Sequence, residues 1–303
     1  MKNYEMLPTE ENLIETLYND TINRNKDIVY FYDILQAQES ASAIAIDGRW
    51  GSGKTFFVRQ TKMVINALNP SSTMDEETKA KATIRLPFPK ENGEKENCSI
   101  AVYYDAWEND NDTEPVLSLI YEITKQLSID FSLSDISIVK TAGAIIEAIS
   151  GHNVNGIKED LASKDPFTKF REQKDMEQKI KDFFTGILAE RGNRLVLFID
   201  ELDRCKPTFA VHFLEQIKHY IYDNRITFVF SVNLEQLQHT IKHYYGADFD
   251  SCRYLDRFFD LRIALPPANM DKFYGEIGLE SRYYVDSMTR RIIKLFNLEL
   301  REI

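Results

Sequence analysis

The stretch Ile44-Ala-Ile-Asp-Gly-Arg-Trp-Gly-Ser-Gly-Lys-Thr55 constrains the fold more than any other part of the chain. An apolar run enters Gly48, and Gly48, Gly53, Lys54 and Thr55 occupy the fixed places of G-x-x-x-x-G-K-[ST], after which Phe56-Phe57-Val58 opens a helix. Strand, glycine-rich turn and helix is the context in which this pattern cradles phosphate. The glycines let backbone N–H groups curl round phosphate oxygens where a Cβ would block them, and the helix N-terminus adds the positive end of its dipole. Gly48, Arg49, Trp50, Gly51, Ser52, Gly53, Lys54, Thr55 and Phe56 are the candidate nucleotide-contacting residues. Among them Lys54 is expected to reach the β- and γ-phosphates and Thr55 to ligate Mg²⁺.

The rest of the chain alternates strands with helices. Apolar residues at helical spacing run from Leu13 to about Gln36, interrupted by Asn and Asp, and lead into a strand at Ala43–Asp47. The loop helix extends from Thr55 to about Leu68, and Asn69-Pro-Ser-Ser-Thr73 breaks it. Asp75–Lys81 and Pro87–Asn97 read as a surface excursion. Further strands are predicted at Ser99–Tyr104, Arg194–Ile199, Arg225–Val232 and Asp260–Leu265. Helical pattern fills Thr113–Glu190, with a break at Gly151–Gly156, as well as Pro207–Tyr222 and Asn233–Tyr245. The predicted architecture is an α/β three-layer core, a mostly parallel sheet with helices on both faces. It carries a helical insertion at about 113–190 within a main unit spanning 1–267, and a partial helical lid at 268–303.

A second acidic centre follows the strand Leu195–Ile199, which ends in Asp200-Glu201-Leu202-Asp203-Arg204. A carboxylate at the tip of a buried apolar strand is the Walker B arrangement, so Asp200 is expected to hold Mg²⁺. Glu201 beside it is the candidate base for the attacking water. Asn233, at the end of the strand Phe228–Val232, is placed either to sense the γ-phosphate or to cap the following helix, two roles that can coexist. Arg257, just before the last strand, is a candidate to stabilise charge on the transferring phosphoryl group, with surface solvation as the alternative for it and for Arg253. His239 and His243 stand at i, i+4, a metal-compatible spacing, but without a nearby third ligand a solvated helix face is favoured. Trp107 has the surface to stack a base, although packing is the commoner use of an indole.

Composition narrows the partners. The formal net charge of −11 argues against sequence-independent attraction to nucleic acid, while leaving room for a local basic groove. Three separated cysteines, with no C-x-x-C pair, fit a reducing cytosol. Met1-Lys2-Asn3-Tyr4-Glu5 lacks the apolar core of a signal peptide. The best apolar run, Ile138–Ile149, is short and broken by Lys140 and Glu147, so direct membrane insertion is not expected.

Four segments point to one family: Asp47-Gly-Arg-Trp-Gly-Ser-Gly-Lys-Thr55, Val102-Tyr-Tyr-Asp-Ala-Trp-Glu108, Leu197-Phe-Ile-Asp-Glu-Leu-Asp-Arg-Cys205 and Tyr254-Leu-Asp-Arg-Phe-Phe-Asp260. In that order, over roughly residues 10 to 267, the chain resembles the KAP family of P-loop NTPases. The resemblance implies ATP as ligand, Mg²⁺ as cofactor, and a core that places an extra strand between the P-loop strand and the Walker B strand. Three positions depart from the family pattern. Glu201 replaces the usual second Asp, Asn233 stands where Asp is frequent, and Arg257 replaces a Lys while keeping its charge. Many members carry a transmembrane hairpin between the two Walker motifs; the corresponding span here, about Ser118–Lys181, has no helix of bilayer length.

The function this implies is an ATP-hydrolysing cytoplasmic switch whose nucleotide state controls self-assembly or a separate effector protein. Membrane association would then come only through partners. Phage-exclusion proteins in the family give anti-phage defence as the analogy. The competing readings are a kinase for a small acceptor, which Glu201 and the long Thr55-to-Asp200 separation disfavour, and a DNA-associated motor, which the net charge disfavours. A pseudoenzyme scaffold is disfavoured by the intact Lys54, Asp200 and Glu201.

Overall fold

The computed structural model describes residues 7–88, 99–129, 141–145, 168–220, 223–268, 270–276, 279, 283–296 and 298. Its centre is a sheet of β1 (Ser42–Asp47), β2 (Ser99–Asp105), β3 (Arg194–Asp200), β4 (Ile226–Val232) and β5 (Leu261–Ala264). The spatial order is β2-β3-β4-β1-β5, and every pairing is parallel. β4 therefore lies between the P-loop strand and the Walker B strand, as the family resemblance implies.

The apolar runs follow from burial on both faces, the condition that makes a parallel strand near-continuously hydrophobic. Leu195, Leu197 and Ile199 of β3 point into one core, together with Ile100, Val102 and Tyr104 of β2 and Phe228 and Phe230 of β4. The intervening Val196 and Phe198, with Ile44, Ile46 and Val229, point into the other. The first core is covered by α5 (Pro115–Gln126), α6 (Thr168–Arg191), α7 (Pro207–Tyr220) and α8 (Leu234–Tyr245). Val116, Leu119, Ile120 and Ile123 of α5, and Ile180, Phe183, Phe184 and Ile187 of α6, repeat the i, i+3, i+4, i+7 spacing of a buried helical stripe. The second core is covered by α1 (Glu10–Asn19), α2 (Asn25–Gln36), α3 (Lys54–Leu68) and α4 (Glu76–Thr83). The result is the expected three-layer α/β fold.

Two local readings are refined. The helical stretch from Leu13 to Gln36 is two helices, because Asp20 and Asn23 take left-handed backbone (φ 50° and 56°), which short polar side chains tolerate. Asp20 caps α1 through its backbone N–H. The Asp75–Lys81 part of the surface excursion contains α4, started by the Asp75 side chain accepting from Thr78 N at 2.9 Å and by Glu76 and Glu77 in its first turn. The Gly151–Gly156 break, most of Pro87–Asn97, and Ile138–Ile149 apart from Thr141–Ile145 lie outside the described residues. Among the described residues no helix is long and apolar enough to cross a membrane. A short helix α9 (Ser251–Leu255) precedes β5, and α10 (Met270–Glu276) and α11 (Tyr284–Phe296) follow it.

Leu197 has no solvent exposure, whereas Leu261 on the edge strand is 38% exposed. Leu197→Ala should therefore lower the unfolding free energy by about 3 kcal/mol, the usual cost of an aliphatic core truncation. Leu261→Ala should cost less than about 1 kcal/mol. Urea melts with unchanged m-values check the pair; equal losses would contradict the assignment of centre and edge.

Candidate active site

The parallel register carries the functional groups to one end of the sheet. Asp105 stands opposite Asp200, Asp200 opposite Ser231, and Asp47 opposite Val232. In a doubly covered α/β sheet this carboxyl edge is where ligands bind. The chain leaves β1 with Gly48 N donating to Val232 O at 3.2 Å, and Asp47 Oδ1 accepts from Leu234 N at 2.9 Å, tying the loop to the start of α8. Gly53 has φ 84° and serves as the N-cap of α3 without any side-chain cap. A Cβ on Gly48 would come within 2.9 Å of Ser52 Oγ and 3.3 Å of Lys54 Cγ, so any side chain here would have to displace those of Ser52 and Lys54.

Inside the loop Lys54 is 7% exposed, and its Nζ donates to Gly48 O at 2.6 Å and Arg49 O at 3.1 Å. Burial pushes its ammonium pKa down, against the pull of the Asp203, Asp200 and Glu201 carboxylates. Ser52 Oγ is buried and has no hydrogen-bond partner among the described residues, an unsatisfied polar atom on the wall of the loop. Glycine-allowed backbone, an uncapped helix start, a buried ammonium and an orphan hydroxyl form a set that fits phosphate oxygens.

Asp200 is fully buried. Burial raises its pKa, and the facing hydroxyls of Ser231, Thr55 and Tyr103 work the other way; Tyr103 Oη donates to Asp200 Oδ2 at 3.0 Å. A buried carboxylate with the Thr55 hydroxyl beside it has the hard-oxygen chemistry that suits Mg²⁺. Glu201 takes left-handed backbone, φ 60°, which is uncommon for a non-glycine residue. Its carboxyl is pushed up to about 7, first by burial and then by the Asp200 charge, with Arg204 opposing. Arg204 Nε is ion-paired with Glu201 Oε2.

The other predicted residues have distinct placements. Asn233 is the N-cap of α8, its side-chain oxygen accepting from Gln236 N at 3.3 Å. Asn233 also lines a cleft of about 490 Å³ together with Arg24, Gly48, Arg49, Ser52 and Pro266. Phe56 packs against the second core. The Trp50 indole Nε1 donates to Asp203 Oδ2 at 2.7 Å. Trp107 is 53% exposed at the end of β2, with Arg204 over its ring. Arg257 and Arg253 are exposed at and after α9, and His239 and His243 are exposed on α8.

Three groups at the site carried no assigned role in the sequence reading. Tyr103 is joined to Asp200, and Arg204 lies on Glu201. Arg24, although 3% exposed, donates to Pro266 O at 2.7 Å and Gly53 O at 3.5 Å. Arg204 sits in the Leu202-Asp203-Arg204 extension, where adjacency to the acidic pair was an available signal. Arg24 had no local signal, because only the fold brings position 24 beside positions 53 and 266.

The parallel sheet with an interposed strand, the glycine loop and the acidic strand tip define a nucleotide-binding P-loop NTPase. The family is shown by sequence as well: residues 24–290 match the KAP family P-loop domain, and the chain belongs to that family. No curated protein matches the chain. Among solved structures, it is similar to that of the Aeropyrum pernix ORC2 protein in ADPNP–ADP complexes, at 14% identity and a TM-score of 0.36. That alignment covers 88% of this chain and 50% of the other, so the chain spans about half the length of that neighbour.

The raised Glu201 carboxyl has a consequence for stability. Between its ordinary value of 4.5 and about 7 the folded chain holds a proton that the unfolded chain has released. Folding stability from this residue is therefore full below about pH 4.5 and is lost as pH rises through 7. Urea melts of the protein in EDTA should show unfolding free energy falling over this window, and Glu201→Gln should make that fall shallower. Identical slopes for the two proteins would contradict the assignment.

Proposed function

We propose that this chain hydrolyses ATP with Mg²⁺ and acts as a switch whose nucleotide state controls self-assembly or a separate effector protein. The observation that carries the reading is the pair Asp200–Glu201 at one strand tip. One carboxylate is fully buried beside the Thr55 hydroxyl, and the next is held near neutrality, where a general base is most effective. Thr55 and Asp200 would hold Mg²⁺, which supplies charge neutralisation at the β- and γ-phosphate oxygens. Lys54 turns its ammonium from Gly48 O and Arg49 O to those oxygens. Glu201 takes a proton from the attacking water as the bond from the γ-phosphorus to the bridging oxygen breaks, leaving ADP and inorganic phosphate. Asn233 keeps α8 capped through its oxygen and offers its amide N–H to the γ-phosphate. By analogy with the phage-exclusion members of the family, the switch operates in anti-phage defence in the cytoplasm, and reaches a membrane only through partners.

Lys54→Ala should abolish ATP binding or nearly so, because it removes a phosphate contact. Glu201→Gln should keep ATP bound and lower kcat by about 10²-fold or more, because it removes the base and spares the Mg²⁺ shell. Filter-binding and phosphate-release assays separate the two; equal loss of binding in both variants contradicts these roles.

Arg257 is assigned as a residue acting in trans, supported by its exposed position just before β5. ATP should then promote self-association, and hydrolysis per chain should rise with protein concentration. Mixing Arg257→Ala chains with Lys54→Ala chains should restore activity, since a mixed interface joins an intact loop to an intact arginine worth about 10³-fold in rate. Concentration-independent turnover with no rescue on mixing overturns the assignment.

A further inference from the structure

The chain has two tryptophans, and both flank a single guanidinium. Arg204 Cζ lies 5.5 Å from the ring centre of Trp50 and 5.5 Å from that of Trp107. The two indoles come from unrelated places, the phosphate loop and the turn after β2. They are 46% and 53% exposed, so core packing does not account for either. Trp50 is fixed further by its Nε1 bond to Asp203, whose carbonyl accepts from Thr240 Oγ1 at 3.2 Å. Arg204 ends the short turn Leu202–Arg204 that begins at Glu201: its N–H donates to Glu201 O at 3.0 Å, and its side chain returns to the Glu201 carboxylate. Glu201 itself holds the left-handed backbone that persists only where surrounding contacts impose it.

We propose that Arg204 is the positioning residue for Glu201: gripped between the Trp50 and Trp107 indoles, its guanidinium fixes where the Glu201 carboxylate stands and couples that position to the phosphate loop. The inference rests on the reading of Glu201 as the base. Arginine suits the place because its planar, delocalised cation stacks on aromatic faces while its N–H groups address a carboxylate. A lysine ammonium is a point charge that cannot face two rings and the carboxylate together. The coupling runs through side chains in sequence: phosphate loop to Trp50, Trp50 to Arg204, Arg204 to Glu201. Movement of the loop is thereby movement of the base.

The test measures steady-state ATP hydrolysis with Mg²⁺ for wild type, Arg204→Ala, Arg204→Lys, Trp107→Ala, Glu201→Gln and the Glu201→Gln/Arg204→Ala double variant. Because Arg204 acts through Glu201, Arg204→Ala should lower kcat by roughly 10²-fold with KM changed less than about threefold, a loss no larger than that of the base itself. Arg204→Lys should not restore it. In the Glu201→Gln background the Arg204 substitution should cost nothing further. Trp107→Ala, at a half-exposed site, should lower kcat in the same direction without moving the thermal midpoint. In Trp107→Phe protein, where Trp50 is the sole indole, Arg204→Ala should shift the emission maximum. Losses that multiply in the double variant, rescue by lysine, or a raised KM at unchanged kcat overturn the proposal while wild-type turnover stands. Absence of turnover in the wild type instead removes the functional reading and this inference with it.

Discussion

The buried carboxyl of Asp200 is the constraint around which the rest is arranged. It ends a strand whose preceding residues Leu195 to Ile199 are all apolar and buried, and it has no exposure of its own. A carboxylate in such a place costs several kcal/mol unless neighbouring groups offset the lost hydration. Here they come from separate elements: the Tyr103 hydroxyl from β2, the Thr55 hydroxyl from the start of α3, and the Lys54 ammonium nearby. The contacts that oppose this burial cost thus include one from the start of the helix that follows the phosphate loop. Stability and site geometry therefore meet at this carboxyl, where burial raises the pKa and the surrounding hydroxyls oppose the rise.

Adjacent carboxylates are driven to different tasks by different surroundings. Asp200 lies at the strand end, aimed into a cluster of hydroxyls. Glu201 turns aside through its positive φ and meets Arg204. Its carboxyl is held near 7 by burial and by the Asp200 charge, while Arg204 limits the rise. Under the proposed function, this divergence within two residues would let one group serve a metal and the other a proton, the pattern by which acid–base roles are separated in carboxylate pairs.

What the sequence made legible was what depends on neighbours in the chain. The apolar runs of β3 and β4 announced strands buried on both faces, the spacing from Gly48 to Thr55 announced the loop, and Asp200-Glu201 announced the acidic tip. The capping aspartate of α4 and the left-handed Asp20 were local signals as well, but weak ones, competing with a polar composition that reads equally as loop. Contacts between distant positions were not legible. Nothing near Arg24 indicates that it will meet Gly53 and Pro266, and nothing in the loop indicates that the Trp50 indole will turn to Asp203, 153 residues away. Tyr103 reads as an ordinary strand tyrosine until β2 is paired with β3, because only that register sets its hydroxyl beside Asp200.

The departure of Asn233 from the family's frequent aspartate becomes intelligible in this setting. Its oxygen accepts from the N–H of Gln236, and the other polar group of this cleft-lining residue is the amide nitrogen, a donor. An aspartate would cap α8 as well, but its remaining oxygen would be an acceptor carrying negative charge. Asp47 and Asp200 already place two carboxylates at the ends of the strands on either side of β4, and Asp47 already accepts from Leu234 N, the next residue of the same helix start. A third carboxylate would repel both them and a phosphate oxygen. The asparagine retains the cap, removes that repulsion and carries an N–H that, under the proposed function, would meet an anion. The exchange therefore preserves the cap of the helix while reversing the sign of the group that the proposed function would have it offer to the nucleotide.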